Sequence, residues 1–190
     1  MRKNILILLA AMLIIGVASV ARGARENPLF GDTQSQFGLN AGHGVGGGNI
    51  WRMVPFNDWR IEPFGAYWAE YSQPFEFFRL PARQTLHAGM FAGYEDMSRN
   101  YTEPFLGLSW DVVPLSWRGA YVGAGLGVYI KPTFRGRQDS LLMFGEKLFA
   151  GYRISAAWSV ELWTRHFDSG GLTPINGGYN FFGLSALYNF

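Results

Sequence analysis

Apolar and polar positions alternate in short runs along most of this chain, and the clearest run is the last. Phe182, Leu184, Ala186, Tyr188 and Phe190 are interleaved with smaller or more polar residues. A period of two sends successive side chains to opposite faces of a strand, so one face of this segment is apolar. The same pattern predicts eight strands, near Gln36–Gly42, Trp59–Tyr71, Gln84–Met97, Phe105–Val113, Arg118–Lys131, Leu141–Arg153, Ala157–Asp168 and Gly178–Phe190. Pro114–Trp117 and Ile154–Ala156 combine proline and small residues over a few positions and read as tight turns. Gly42–Gly48, around His43, reads as a flexible glycine turn, with the alternative that the first strand runs on past it. Ser72–Pro81, with Pro74, Phe75, Phe77 and Phe78, fits neither a helical nor a strand template.

The start of the chain follows a different rule. Met1–Asn4 is short and basic, Ile5–Val17 is almost wholly apolar, and small-x-small sites follow at Ser19–Ala21 and Ala21–Gly23. These features predict a secretory signal peptide over residues 1–21, shorter than the roughly 18–20 apolar residues of a spanning helix. Sixteen basic residues against fourteen acidic give a charge of +2. Loss of Arg2 and Lys3 with the leader brings the exported part, residues 22–190, to zero. That balance offers nothing to a nucleic-acid partner. Zero cysteines exclude disulfides and a lipid-anchored cysteine.

The exported part is one domain by length. It holds 25 glycines, the chain is 17% aromatic, and no later run is long enough to span as a helix. Only helices and closed barrels satisfy their backbone groups inside hydrocarbon. The composition therefore predicts an all-β, eight-stranded antiparallel transmembrane barrel. An apolar terminal strand ending on an aromatic resembles the sorting signal of bacterial outer-membrane barrels. It names the outer membrane as address and the barrel-assembly machinery as partner. With Phe190 at the periplasmic rim, the tight turns fall on the periplasmic side, and Lys131–Ser140 and Ser169–Gly177 fall outside.

Facing follows from parity. Gly123, Gly125 and Gly127 share one face of the fifth strand, which suits a narrow, filled lumen and disfavours an aqueous pore. In the seventh strand Val160, Leu162, Thr164, His166 and Asp168 share one face, and Glu161, Trp163, Arg165 and Phe167 the other. Glu161 and Arg165 belong in the lumen, where they are expected to pair. His166 and Asp168 then face lipid, where ionisable groups are expensive and ask for a functional explanation.

The segment His166-Phe167-Asp168-Ser169-Gly170-Gly171-Leu172, followed by Asn176-Gly177-Gly178-Tyr179-Asn180, resembles the catalytic end of the lipid A 3-O-deacylase (PagL) family. The glycine-rich fifth strand and Phe144–Gly151 are similar to that family's barrel. The resemblance is clearest from about Phe105 onward. It implies an esterase whose Ser–His–Glu triad, on the outer wall, cuts ester-linked acyl chains from lipopolysaccharide. His166 matches the base, and Asn176 and Gly178 match the Asn-x-Gly portion. Asp168 stands where the family has its nucleophilic serine, and Asn180 where it has its glutamate. Asn180 can accept from His166 and fix its tautomer, but it cannot stabilise an imidazolium as a carboxylate does. Three routes to hydrolysis stay open: Ser169, brought to the outer face by a bulge at the glycines; a water held by Asp168 and His166; and Thr164. The alternative is a catalytically inactive barrel that binds lipopolysaccharide or stiffens the envelope.

Other residues carry less. Lys131, Arg135 and Arg137 are placed to meet lipid A phosphates, since guanidinium pairs well with phosphate, or to sit in an ordinary solvated loop. His87 stands alone in a strand and reads as structural. No spacing of His, Cys and carboxylates predicts a metal, and no cofactor motif is present. The tryptophans Trp51, Trp59, Trp68, Trp110, Trp117, Trp158 and Trp163 read mostly as interfacial anchors.

Overall fold

In the computed structural model, residues 27–46, 60–95, 99–131, 140–174 and 176–190 are described. The predicted leader, Trp51, Trp59, Arg135 and Arg137 lie outside them. The strands are β1 (Gln36–Val45), β2 (Ile61–Phe77), β3 (Leu80–Glu95), β4 (Arg99–Trp117), β5 (Ala120–Ile130), β6 (Leu142–Arg153), β7 (Trp158–Asp168) and β8 (Tyr179–Asn189). Each pairs antiparallel with its neighbour in sequence. β8 closes on β1, from Gln36 opposite Asn189 to Gly44 opposite Phe181. Closure leaves no free edge, which is what hydrocarbon demands of a sheet.

Three local expectations need correction. Ser72–Pro81 is not irregular: β2 and β3 pair through it to Phe77 opposite Leu80, joined by Phe78 and Arg79 at φ 47° and 68°. Two successive left-handed residues twist a hairpin the right way. The sequence hides this because the usual Asn-Gly is absent and two prolines interrupt the alternation. Pro114–Trp117 is not a turn either. β4 runs through it with a register shift between Val112 and Leu115, and the turn is Arg118–Gly119. Proline has no N–H to give a ladder, and the irregularity accommodates it. Finally, β1 continues through His43 to Val45 before any glycine turn.

The lumen is solid. Toward the turn end, Arg83 pairs with Asp111 and Glu161 at 2.8 Å each, and Lys147 with Glu161 at 2.9 Å. Toward the loop end, Phe91 stacks on Phe105, Tyr179 and Phe181. The expected Glu161–Arg165 pair does not form. Four strand residues separate their Cα atoms by about 13 Å, too far for two side chains on one face to turn toward each other easily. Arg165 instead donates to the Tyr129 hydroxyl at 2.8 Å and lies over the rings of Trp68 and Phe167. Gly123, Gly125 and Gly127 do face inward. A methyl group at these positions would collide with Phe149, Asp111 and Tyr129 respectively. Beneath the turn end, Leu29 and Phe30 are buried, and the Asn27 amide donates to the Ala82 carbonyl at 2.9 Å. Ser35 and Phe190 exchange two backbone bonds, pinning the end of β8.

The outer face carries Leu39, Leu86, Leu106, Leu126, Leu162 and Leu184, all exposed. A ring of this kind is far larger than the apolar patches soluble monomers tolerate and corresponds to the lipid band of a barrel.

Candidate active site

Register builds the site. On β7, His166 stands opposite Glu146 of β6 and opposite Asn180 of β8. Parity puts all three on the outer face, so they form one polar row across three strands at the loop end of the wall. The next row toward the barrel middle is Leu148, Thr164 and Phe182, followed by Ala150, Leu162 and Leu184. On the loop side, Phe144 stands opposite Asp168. Leu162 is 45% exposed on this face, yet His166 is 1% exposed. The imidazole thus belongs to the outer wall but is covered by its neighbours.

His166 Nδ1 lies 2.6 Å from Asn180 Oδ1. A carbonyl oxygen only accepts, so Nδ1 carries a proton, and in the neutral ring Nε2 presents its lone pair. Nε2 looks toward Asp168 Oδ2 at 3.6 Å. That is longer than a direct hydrogen bond but within ion-pair reach of a protonated ring. Asp168 Oδ1 accepts the Gly170 N–H at 2.8 Å, and the Asn176 side chain also bonds to this carboxylate. Asn176 Oδ1 accepts the Ser169 N–H at 2.9 Å. Asn176 therefore ties the loop to the end of β7 rather than reaching outward.

Ser169 does not meet His166. It is fully buried, and its Oγ accepts a long 3.5 Å bond from Thr173. The expected bulge at Ser169–Gly171 has no ladder to sit in, since β7 pairs with β8 only as far as Phe167. The glycines serve a turn instead, with Gly170 and Gly171 at φ 59° and 73°. Thr164 is on the right face but buried one row below His166. Lys131 does not project from the loop end. Its side chain is buried, and its ammonium pairs with Glu103 at 3.0 Å.

His43 sits exposed on the outer face of β1. His87 points into the lumen, with Nε2 2.8 Å from Ser109 Oγ and Nδ1 3.5 Å from Glu70 Oε2. This is a Ser–His–Glu arrangement in outline, but all three residues are buried inside the closed barrel and the Trp68 indole also donates to Glu70. No ester reaches it, and its role is to satisfy polar groups within the packing. Glu146 was not singled out from sequence. Its signal was parity alone: Lys147 points in, so Glu146 points out.

Below the polar row is a shallow cavity of about 320 Å³ on the outer wall, lined by Val122, Leu148, Ala150, Leu162, Thr164 and Phe182 among others. Its upper lining, Leu148, Thr164 and Phe182, is the row next below His166.

A closed eight-stranded barrel with an apolar belt and a histidine-centred polar row on its lipid face is an outer-membrane barrel with a candidate site on its wall. The family model for lipid A 3-O-deacylase (PagL) matches residues 69–189, and the chain belongs to that family. Among solved structures it is similar to the outer-membrane enzyme PagL, at a TM-score of 0.57 and 17% identity over 81% of this chain and 99% of that one. Neisserial surface protein A gives 0.53 and 12% identity over 82% and 97%. At such identities these two likenesses speak for the fold. No curated protein sequence matches the chain.

Proposed function

We infer that the protein is an ester hydrolase acting on an ester-linked acyl chain of lipid A in the outer membrane, with His166 as general base. One observation carries this reading. A histidine with Nδ1 held by Asn180 and Nε2 beside Asp168 stands one row above an apolar groove on the lipid-facing wall. Acyl chains already lie against such a wall, so the groove needs only to align one of them.

The geometry favours the water route over the two hydroxyl routes. A water entering beside Nε2 and Asp168 gives its proton to Nε2 as its oxygen attacks the ester carbonyl. The tetrahedral intermediate then collapses, and the imidazolium returns the proton to the departing alkoxide. The products are a free fatty acid and a sugar hydroxyl. Asp168 orients the water, and Asn180 fixes the tautomer, as the triad acid does elsewhere. Lys131 has no part in binding the headgroup on this reading.

The test is incubation of refolded protein with lipopolysaccharide in detergent, with released 3-hydroxy fatty acid read by mass spectrometry. Release that disappears in His166→Ala supports the hydrolase. No release in any detergent or with any divalent ion overturns it. The competing reading, an inactive barrel that binds lipopolysaccharide, draws on the Asp and Asn at the family's Ser and Glu positions. Lipopolysaccharide retention without turnover would favour it.

A further inference from the structure

Glu146 has no evident structural reason to be a carboxylate. It lies on the outer face of β6 between Phe144 and Leu148, opposite Leu126 of β5 on one side and His166 of β7 on the other. One of its carboxylate oxygens, Oε2, is buried and has no hydrogen-bond partner among the described residues. The charged groups that face it are His166 and Asp168. A buried, unpartnered carboxylate oxygen on a lipid-facing wall is costly. Leucine, which stands at this level on β5 as Leu126, would serve the wall better.

The catalytic cycle has a matching deficit. Proton abstraction makes His166 a cation, and Asn180 is neutral. Asp168 meets the ring at Nε2, 3.6 Å away, and its other oxygen holds the Gly170 N–H, so it counters the charge from the loop side only. Cβ atoms of directly opposed strand residues are about 4.5–5.5 Å apart, which sets Glu146 beside His166 in the same row of the wall. We propose that Glu146 is the acid of this site: a positioning residue that stabilises the His166 imidazolium from β6, across the ring from the β8 position where the family carries its glutamate. This rests on the hydrolase reading for its catalytic consequence but not for the charge contact itself.

Two measurements test it on full-length protein refolded in detergent. In the lipopolysaccharide assay, Glu146→Gln is expected to lower kcat at least about 100-fold with little change in KM, the scale of a lost acid–base partner. Glu146→Asp should keep most of the activity. Glu146→Gln combined with Asn180→Glu should recover it, because the charge has only moved from one flank to the other. A Glu146→Gln enzyme as active as wild type overturns the proposal, and so does failure of the combined variant when it folds. Folding is checked by heat-modifiable migration on gels.

The second measurement needs no turnover. The chain has three histidines, so ¹⁵N imidazole spectra resolve His166, with His43 as an exposed reference. At equal pH, Glu146→Gln should hold less imidazolium at His166 than wild type, and the combined variant should restore it. Spectra that do not differ overturn the proposal whatever the activity. Wild type that releases no fatty acid while the spectra do differ overturns the hydrolase reading alone.

Discussion

At the scale of single residues, the outer-wall row separates groups that act from groups that hold. His166→Ala removes the base and should abolish fatty acid release. Asp168→Asn keeps the shape but weakens the hold on water, and a loss of about 100-fold in kcat is expected by mass spectrometric assay. Ser169→Ala should stay within a few fold of wild type, because the buried Oγ meets Thr173 rather than the imidazole. An inactive Ser169→Ala enzyme would return the nucleophile to the serine. Facing was legible in the sequence here: strand parity alone put His166 and Asp168 outside and Arg165 inside. The partners of those residues were not. Which side chain lies beside His166 depends on the β6–β7 and β7–β8 registers, and no period in one strand reports the register of its neighbour. Hence Glu146 went unseen and Arg165 was given to Glu161.

At the scale of elements, the strands and their order followed from alternation and the β6–β7 turn from its small residues, whereas the β2–β3 and β4–β5 turns did not follow. Phe78, Arg79 and Arg118, in the Phe78–Arg79 and Arg118–Gly119 turns, adopt left-handed backbone that such residues rarely favour. Their sequences lack the usual marker, so the turns were read as irregular or shifted by several residues. This yields a stability prediction. Replacing Phe78-Arg79 with Asn-Gly supplies residues that take positive φ readily and should stabilise the β2–β3 hairpin by about 1 kcal/mol. The check is a rise in the temperature at which the folded gel band converts to the unfolded one. No change, or a fall, would mean that the exposed Phe78 ring contributes more in the interface than its backbone costs. The other end of the barrel has the opposite demand. The loop from Ser169 carries its own internal bonds to Asp168 and Asn176, which fits a segment that fixes a site rather than merely reversing the chain.

For the whole molecule, the question is what keeps a barrel rigid enough to hold that outer row in place. Lipid gives the outer belt no hydrophobic reward for packing, so the lumen must supply the specificity. It does so with a charged layer in which Arg83 and Lys147 share Asp111 and Glu161, four groups contributed by β3, β6, β4 and β7. β6 and β7 are the strands that carry Glu146 and His166, one residue over from Lys147 and on the opposite face from Glu161. Removing one carboxylate leaves two buried cations with a single partner. Glu161→Gln should therefore destabilise the folded barrel by about 3 to 5 kcal/mol, the range for breaking a buried ion pair one-sidedly. Urea titration in detergent micelles, followed by tryptophan fluorescence, measures it. Salt separates this layer from surface charge. Screening reaches exposed pairs but hardly touches a sealed lumen, so raising the ionic strength to about 1 M should move the wild-type midpoint little. A large salt effect on wild type would mean that water enters the layer. A Glu161→Gln barrel as stable as wild type would mean that the layer does not brace the wall, and that the polar row outside is held by its own contacts.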